Sequence, residues 1–306
     1  MNKPSTRKTD HHGEWSLRTI TIALAVAAGF ALLPSDASAV PLTISNATTQ
    51  IVVNGGEALS PDSGTALVDY DGYFRYTDLG AGDETTWSID PLLRFANGST
   101  AVLSDGLAGG FGSPSDIGGG VIRSTAATGG INVTADTQLI GSNARTTFHF
   151  ASGTVMDGTT LVFYAENDLF GPNDDTAAFT GSIAGGNLAL FQFDTAAGGL
   201  TVKMTGDGIT NAALSLFGAG PWDFSGTAFG NFLTVGDLSV LSADGSNFAA
   251  TNDDLGLALA FDLSGLDATL VVDYDTQPDP PGVPEPTSLA LLGIGLAAAR
   301  RTTRRR

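Results

Sequence analysis

The sequence predicts an all-β protein, built as a single β-sandwich or jelly-roll-like domain between a leader and a tail. Three observations predict it. Apolar residues recur with period two in short runs, as on strands with one covered face. Gly beside Asp or Asn punctuates the runs at hairpin spacing. Between residues 40 and 280 no window reads as a capped amphipathic helix.

The runs justify themselves in order. Phe148 and Phe150 bracket His149, so the imidazole should point away from the two rings. Leu161, Phe163 and Ala165 alternate with Val162, Tyr164 and Glu166, and both faces are partly apolar, as on a central strand. Leu200, Val202 and Met204 alternate with Thr201, Lys203 and Thr205. Leu255, Leu257, Leu259, Phe261 and Leu263 alternate with Gly256, Ala258, Ala260 and Asp262, which suits a half-buried strand better than a helix over 249–259. Leu270, Val272 and Tyr274 oppose Thr269, Val271 and Asp273. Turns are expected at Asp71-Gly72, Asn97-Gly98, Asp105-Gly106, Asp157-Gly158, Asp207-Gly208 and Asp244-Gly245. The Gly/Ser stretch 106–120 reads as a long surface loop. Some twelve to sixteen strands in one unit point to a sandwich, with two smaller sandwiches as the alternative.

Both ends read as addresses. Lys3, Arg7, Lys8 and Arg18 precede an apolar segment at 20–33, and Ala37-Ser38-Ala39 is an A-x-A cleavage site that would leave Val40 as the first mature residue. This is a signal-peptide pattern over 1–39. No Arg-Arg pair precedes the apolar segment, so the Sec translocon is the expected route. At the other end an extended Pro-rich linker, 277–282, leads to Val283-Pro284-Glu285-Pro286. An apolar run of 13 residues follows at 287–299, and then Arg300, Arg301, Arg304, Arg305 and Arg306. As a helix the run is roughly 20 Å long, short for a bilayer span. Arginines that snorkel and stay cytoplasmic would lengthen it and fix its orientation.

This order of Pro-Glu-Pro signal, apolar segment and arginine cluster resembles the PEP-CTERM sorting signal. The resemblance covers residues 283–306. It implies an exosortase-type partner acting near Pro286, transient insertion in the inner membrane, and a product at the cell surface or outside the cell, in biofilm and exopolysaccharide settings.

The mature region, 40–281 (the domain over 40–276 and most of the linker), differs in charge from the whole chain, whose formal net charge is −18. It keeps 5 basic and 28 acidic residues, a net charge of −23. Such a surface argues against nucleic acid and against anionic membrane surfaces, and favours solubility and divalent cations. The chain has no cysteine, so its core rests on buried area without disulfides, and thiolate metal sites and a Cys nucleophile are excluded.

Catalytic signals are sparse. His149 is the single histidine after the leader, and no G-x-S-x-G elbow accompanies it. The chain is therefore expected not to be an enzyme. Calcium is the cofactor the acids could hold, through Glu166, Asp168, Asp174 and Asp175 in one acidic stretch or Asp69 and Asp71 in a D-x-D-G segment. No EF-hand pattern is completed. Asn46-Ala47-Thr48 and Asn97-Gly98-Ser99 match the N-glycosylation acceptor triplet. The function expected from these readings is a structural or adhesive surface or matrix protein. A carbohydrate-binding module, assisted by calcium and by Trp87, Trp222 and Tyr164, is the alternative, with extracellular polysaccharide as its partner. A polysaccharide-active enzyme is the third reading.

Overall fold

A computed structural model describes residues 41–54, 72–79, 83–84, 88–104, 110–167, 175–194, 200–221, 238–248 and 255–278. The chain divides into two units, Met1–Ser38 and Ala39–Arg306. The first lies outside the described residues, and the second holds all the described strands.

The described elements are strands apart from one 3-10 turn, Leu238–Val240. In chain order they are β1 (Leu42–Ser45), β2 (Thr49–Val53), β3 (Phe74–Asp78), β4 (Asp83–Glu84), β5 (Ser88–Arg94) and β6 (Thr100–Val102). Next come β7 (Ser115–Asp116), β8 (Val121–Thr128), β9 (Ile131–Ile140), β10 (Asn143–Ser152), β11 (Thr159–Asn167) and β12 (Asp175–Thr180). The last are β13 (Ala189–Asp194), β14 (Leu200–Thr210), β15 (Ala212–Pro221), β16 (Leu255–Leu263) and β17 (Asp267–Pro278). They form three antiparallel sheets. One has the order β1-β2-β3-β4, one β12-β13-β14-β17-β10-β9-β8-β7, and one β15-β16-β11-β5-β6.

The all-β expectation holds, with three sheets rather than the two of a simple sandwich. Alternation explains how they pack. Phe148, Phe150, Leu270, Val272, Tyr274, Val202 and Met204 point inward from the eight-stranded sheet. They meet Leu161, Phe163, Leu257, Leu259 and Phe261 of the five-stranded sheet in one core. Phe148 sets its ring edge-on to Phe163, with centroids 6.0 Å apart. The four-stranded sheet covers the rest of the same face through Ile51, Val53, Phe74 and Tyr76. A hydrogen bond from the Tyr73 amide to the Ile89 carbonyl ties it to the five-stranded sheet.

The five-stranded sheet is buried on both faces. Leu92, Val162, Tyr164, Ala258 and Ala260 form a second, outer cluster beneath Leu241, with Leu238 and Val240 of the 3-10 turn packed against it. This corrects the half-buried reading of β16, in which residues 255–261 are all buried. Small residues on its second face mark close covering, and solvent does not reach them. Gly256 shows the reason: a Cβ there would collide with the Tyr164 ring.

Asp105-Gly106 lies outside the described residues, and of the other five expected turn glycines all but one follow the pattern. Gly72, Gly98, Gly158 and Gly245 adopt positive φ. Gly208 does not; it lies within β14, and the reversal comes later, at Asn211 (φ 47°). The stretch 106–120 is not one loop. Ser115–Asp116 pairs with β8 as an edge strand, and Phe111 is buried. Strand β17 takes in Gln277 and Pro278, paired with Thr201 and Leu200, so the first two residues of the Pro-rich segment are sheet.

Candidate functional site

The acidic stretch singled out for calcium begins on β11 and ends on β12. The two strands belong to different sheets. Glu166 pairs with Gly256 and Ser88 across the five-stranded sheet, and Asn167 pairs with Leu255. The segments that follow Asn167 and precede Leu255 in sequence, each rich in Asp, therefore leave adjoining strands. Asp168, Asp174, Asp69 and Asp71 lie outside the described residues, as do Asn252, Asp253 and Asp254. Among the described residues no three His, Asp or Glu side chains converge on a cation-sized space.

The acids on β17 have structural partners. Arg145 Nε and Nη2 donate to the two Asp273 carboxylate oxygens at 2.8 and 2.9 Å, and Asn143 adds a bond of 2.8 Å. Partial burial pushes the Asp273 carboxyl up, but the bonds from Arg145 and Asn143 and the guanidinium charge outweigh it and hold the group below the usual range. Arg123 clamps Asp136 in the same two-point way, at 2.7 and 2.6 Å. Both pairs stand on the outer face of the eight-stranded sheet, where a pleat puts alternate residues of β8, β9, β10 and β17 side by side.

His149 stands on that face too, exposed between two buried phenylalanines, with Nδ1 3.2 Å from Thr269 Oγ1. Its orientation is the one alternation predicts. Tyr164 is fully buried and is no platform for a sugar, which removes it from the carbohydrate-binding reading. Trp87 and Trp222 lie outside the described residues. Asp90 is 1% exposed and accepts a hydrogen bond from the Ser104 hydroxyl. A recess of about 260 Å³ opens beside the β14–β15 turn, lined by Ile183, Leu188 and Leu214 with Asp207 as its acid.

The two triplets singled out above have different geometries; a third, Asn132-Val133-Thr134, lies at the start of β9 with Asn132 exposed. Asn46 Oδ1 accepts from the Thr48 and Thr49 amides at 2.9 Å and from the Thr48 hydroxyl at 3.1 Å. Its Nδ2 donates to the Gly141 carbonyl at 2.6 Å, so both ends of the carboxamide are engaged. Asn97 sits at the exposed β5–β6 turn. Its Oδ1 accepts from the Ser99 amide at 3.0 Å and the Ser99 hydroxyl at 2.7 Å.

The tail residues Val283, Pro284, Glu285 and Pro286, the arginines 300–306, and Ala37, Ala39 and Val40 at the leader cleavage site also lie outside the described residues. For the tail the decisive comparison is one of sequence. The family model of the PEP-CTERM protein-sorting motif matches residues 282–306. An acidic all-β domain with this motif behind it defines a class: an exported protein processed by an exosortase at the membrane. The chain is a PEP-CTERM sorting domain-containing protein.

No curated protein matches the chain. Among solved structures it is similar to a bacterial glucoamylase complexed with acarbose, at 7% identity and a TM-score of 0.47, over 78% of this chain and 35% of that one. It is also similar to the Slr1438 protein of Synechocystis sp. PCC 6803, at 8% identity and a TM-score of 0.40, over 79% and 96% of the two chains. A third is a 4-alpha-glucanotransferase from Thermococcus litoralis, at 6% identity and a TM-score of 0.34, over 77% and 37%. The chain spans about a third of the glucoamylase's length. These likenesses lend it no function.

Proposed function

We propose that the domain is a non-catalytic structural or adhesive component of the cell surface or extracellular matrix, in an exopolysaccharide or biofilm setting. Export through the Sec translocon would deliver it, and the sorting tail would retain or release it. The observation that carries this reading is the sorting motif at residues 282–306, placed behind a domain in which the Arg123–Asp136 and Arg145–Asp273 pairs brace the eight-stranded sheet. Two of its arginines are held in two-point contacts with aspartates, and its one histidine beyond the leader rests on a threonine hydroxyl.

Calcium binding by the acids at 166–175 belongs to the same reading. It is supported by the pairing of Asn167 with Leu255, which starts two Asp-rich segments from adjacent strands.

The test is intact mass of the protein recovered from its host, fraction by fraction, joined to a matrix assay on a strain lacking it. A chain from Val40 to near Pro286 in the matrix fraction, and a weakened matrix without it, are the expected results. A chain still ending in its arginines in the membrane fraction, with an unchanged matrix, would overturn the proposal.

A further inference from the structure

Three Asn-x-Ser/Thr triplets stand among the described residues, and the fold treats them differently: Asn132 lies within β9, paired with Ala127 and Ala151, while Asn46 and Asn97 sit at turns. At Asn46 the carboxamide is a staple. Its oxygen caps the β1–β2 turn, and its nitrogen binds the β9–β10 turn 95 residues away. A sugar on that nitrogen would have to be fitted beside the Gly141 carbonyl, which lies 2.6 Å away.

Asn97 is built differently. Phe95 anchors the turn from below: its side chain packs against the core, and its ring lies where a Cβ on Gly129 would be. Backbone bonds from Phe95 N to Ser99 O and from Gly98 N to Phe95 O, both 2.8 Å, fix the loop. Ala96, Asn97 and Ser99 are exposed at its tip, and Gly98 has open space around its Cβ position. Two bonds from Ser99 engage the Asn97 oxygen, and among the described residues no hydrogen bond holds the Nδ2 of this exposed side chain. The Ser99 hydroxyl lies against the carboxamide, as the third residue of an acceptor triplet must if it is to polarise that group.

We propose that Asn97 is an N-glycan acceptor, modified after export, and that Asn46 is not. The donor is a polyprenyl-diphosphate-linked oligosaccharide and the catalyst an oligosaccharyltransferase of the export compartment. In the step, Asn97 Nδ2 forms a bond to the sugar C1 as the C1–O bond to diphosphate breaks. The lipid diphosphate leaves with that electron pair, and one Nδ2 proton passes to the transferase's base. The product carries a glycan at a rigid sheet edge, clear of the core.

The experiment uses the full chain expressed in its native host and recovered from the exported fraction. Peptide mass spectrometry reads the segments holding Asn97 and Asn46, alongside Asn97→Gln, Ser99→Ala and Asn46→Gln variants. A glycan mass on the Asn97 peptide is expected, lost in Asn97→Gln and at least tenfold reduced in Ser99→Ala, and kept in Asn46→Gln. Ser99→Ala should retain the wild-type melting profile, so a loss there is not misfolding. An Asn97 peptide at its bare mass in exported protein overturns the proposal. So does a glycan found on Asn46, or one on Asn97 that survives Ser99→Ala unchanged.

Discussion

Tyr73 shows how much a single side chain can carry in this fold. It is fully buried, stacks obliquely on Phe111 at 4.9 Å, and exchanges a 2.9 Å hydrogen bond with the Thr137 hydroxyl. Thr137 in turn reaches Thr146 at 3.0 Å, so a short polar chain runs through an apolar interior. Burial pushes the Tyr73 phenol up to about 12. In the unfolded chain it would ionise near 10. Between those values the unfolded state holds fewer protons, so this group's contribution to stability is intact below pH 10 and is lost as pH rises toward 12. The loss reaches roughly 2 kcal/mol by pH 12. Urea midpoints at pH 9 and pH 11 should differ for the wild type and differ less for Tyr73→Phe. Gly256 carries a second prediction at this scale. A methyl group there meets the Tyr164 ring, so Gly256→Ala should cost about 1–3 kcal/mol in denaturant unfolding. An unchanged midpoint would mean that the ring can move aside.

Among the elements, β16 separates what pattern reading can see from what packing decides. Its inward leucines belong to the main core, and Leu259→Ala should lose about 2–5 kcal/mol. Pattern alone would let Ala260 accept a charge, because it alternates with those leucines. The structure puts Ala260 in the outer cluster at 0% exposure, so Ala260→Asp should cost at least about 2 kcal/mol. Equal stability of wild type and Ala260→Asp would contradict the double burial of the sheet. The Arg145–Asp273 pair joins β10 to β17 on the opposite, solvated face, with side chains 40% and 24% exposed. Water and salt screen it, so Arg145→Ala should cost under about 1 kcal/mol. The Asp273 carboxyl lies below its usual range in the folded state. That small contribution is therefore present near neutral pH and is lost as pH falls through the acid range, a loss Arg145→Ala should remove from the acid unfolding curve.

At the scale of the whole molecule, charge and the sorting tail set behaviour. With 28 acids against 5 bases in the mature region, a bound divalent cation relieves self-repulsion as well as filling a site. Millimolar calcium should therefore raise the melting temperature relative to chelator, and magnesium at equal ionic strength should raise it less. Identical melting in calcium and chelator would rule out the calcium reading of residues 166–175. Removing residues 283–306 should abolish exosortase processing and leave the melting of the domain unchanged, since β17 ends at Pro278.

The sequence by itself determined the all-β class, the inward sets of β10, β14 and β17, the outward turn of His149, the positive-φ glycines of most turns, and the sorting tail. These are local properties. A period of two, a Gly needing positive φ and a terminal motif are each written within a few neighbouring residues. Only the tertiary structure decided that there are three sheets, that the second face of β16 is covered, that Tyr164 is core, and that Asp207-Gly208 continues a strand. It also gave Asn46 a structural bond to Gly141 and left Asn97 at an exposed turn. These outcomes depend on what residues far apart in the chain bring against each other. Small side chains such as Gly256, Ala258 and Ala260 read alike whether they face water or a closely packed ring, because the space around them is shaped by their partners.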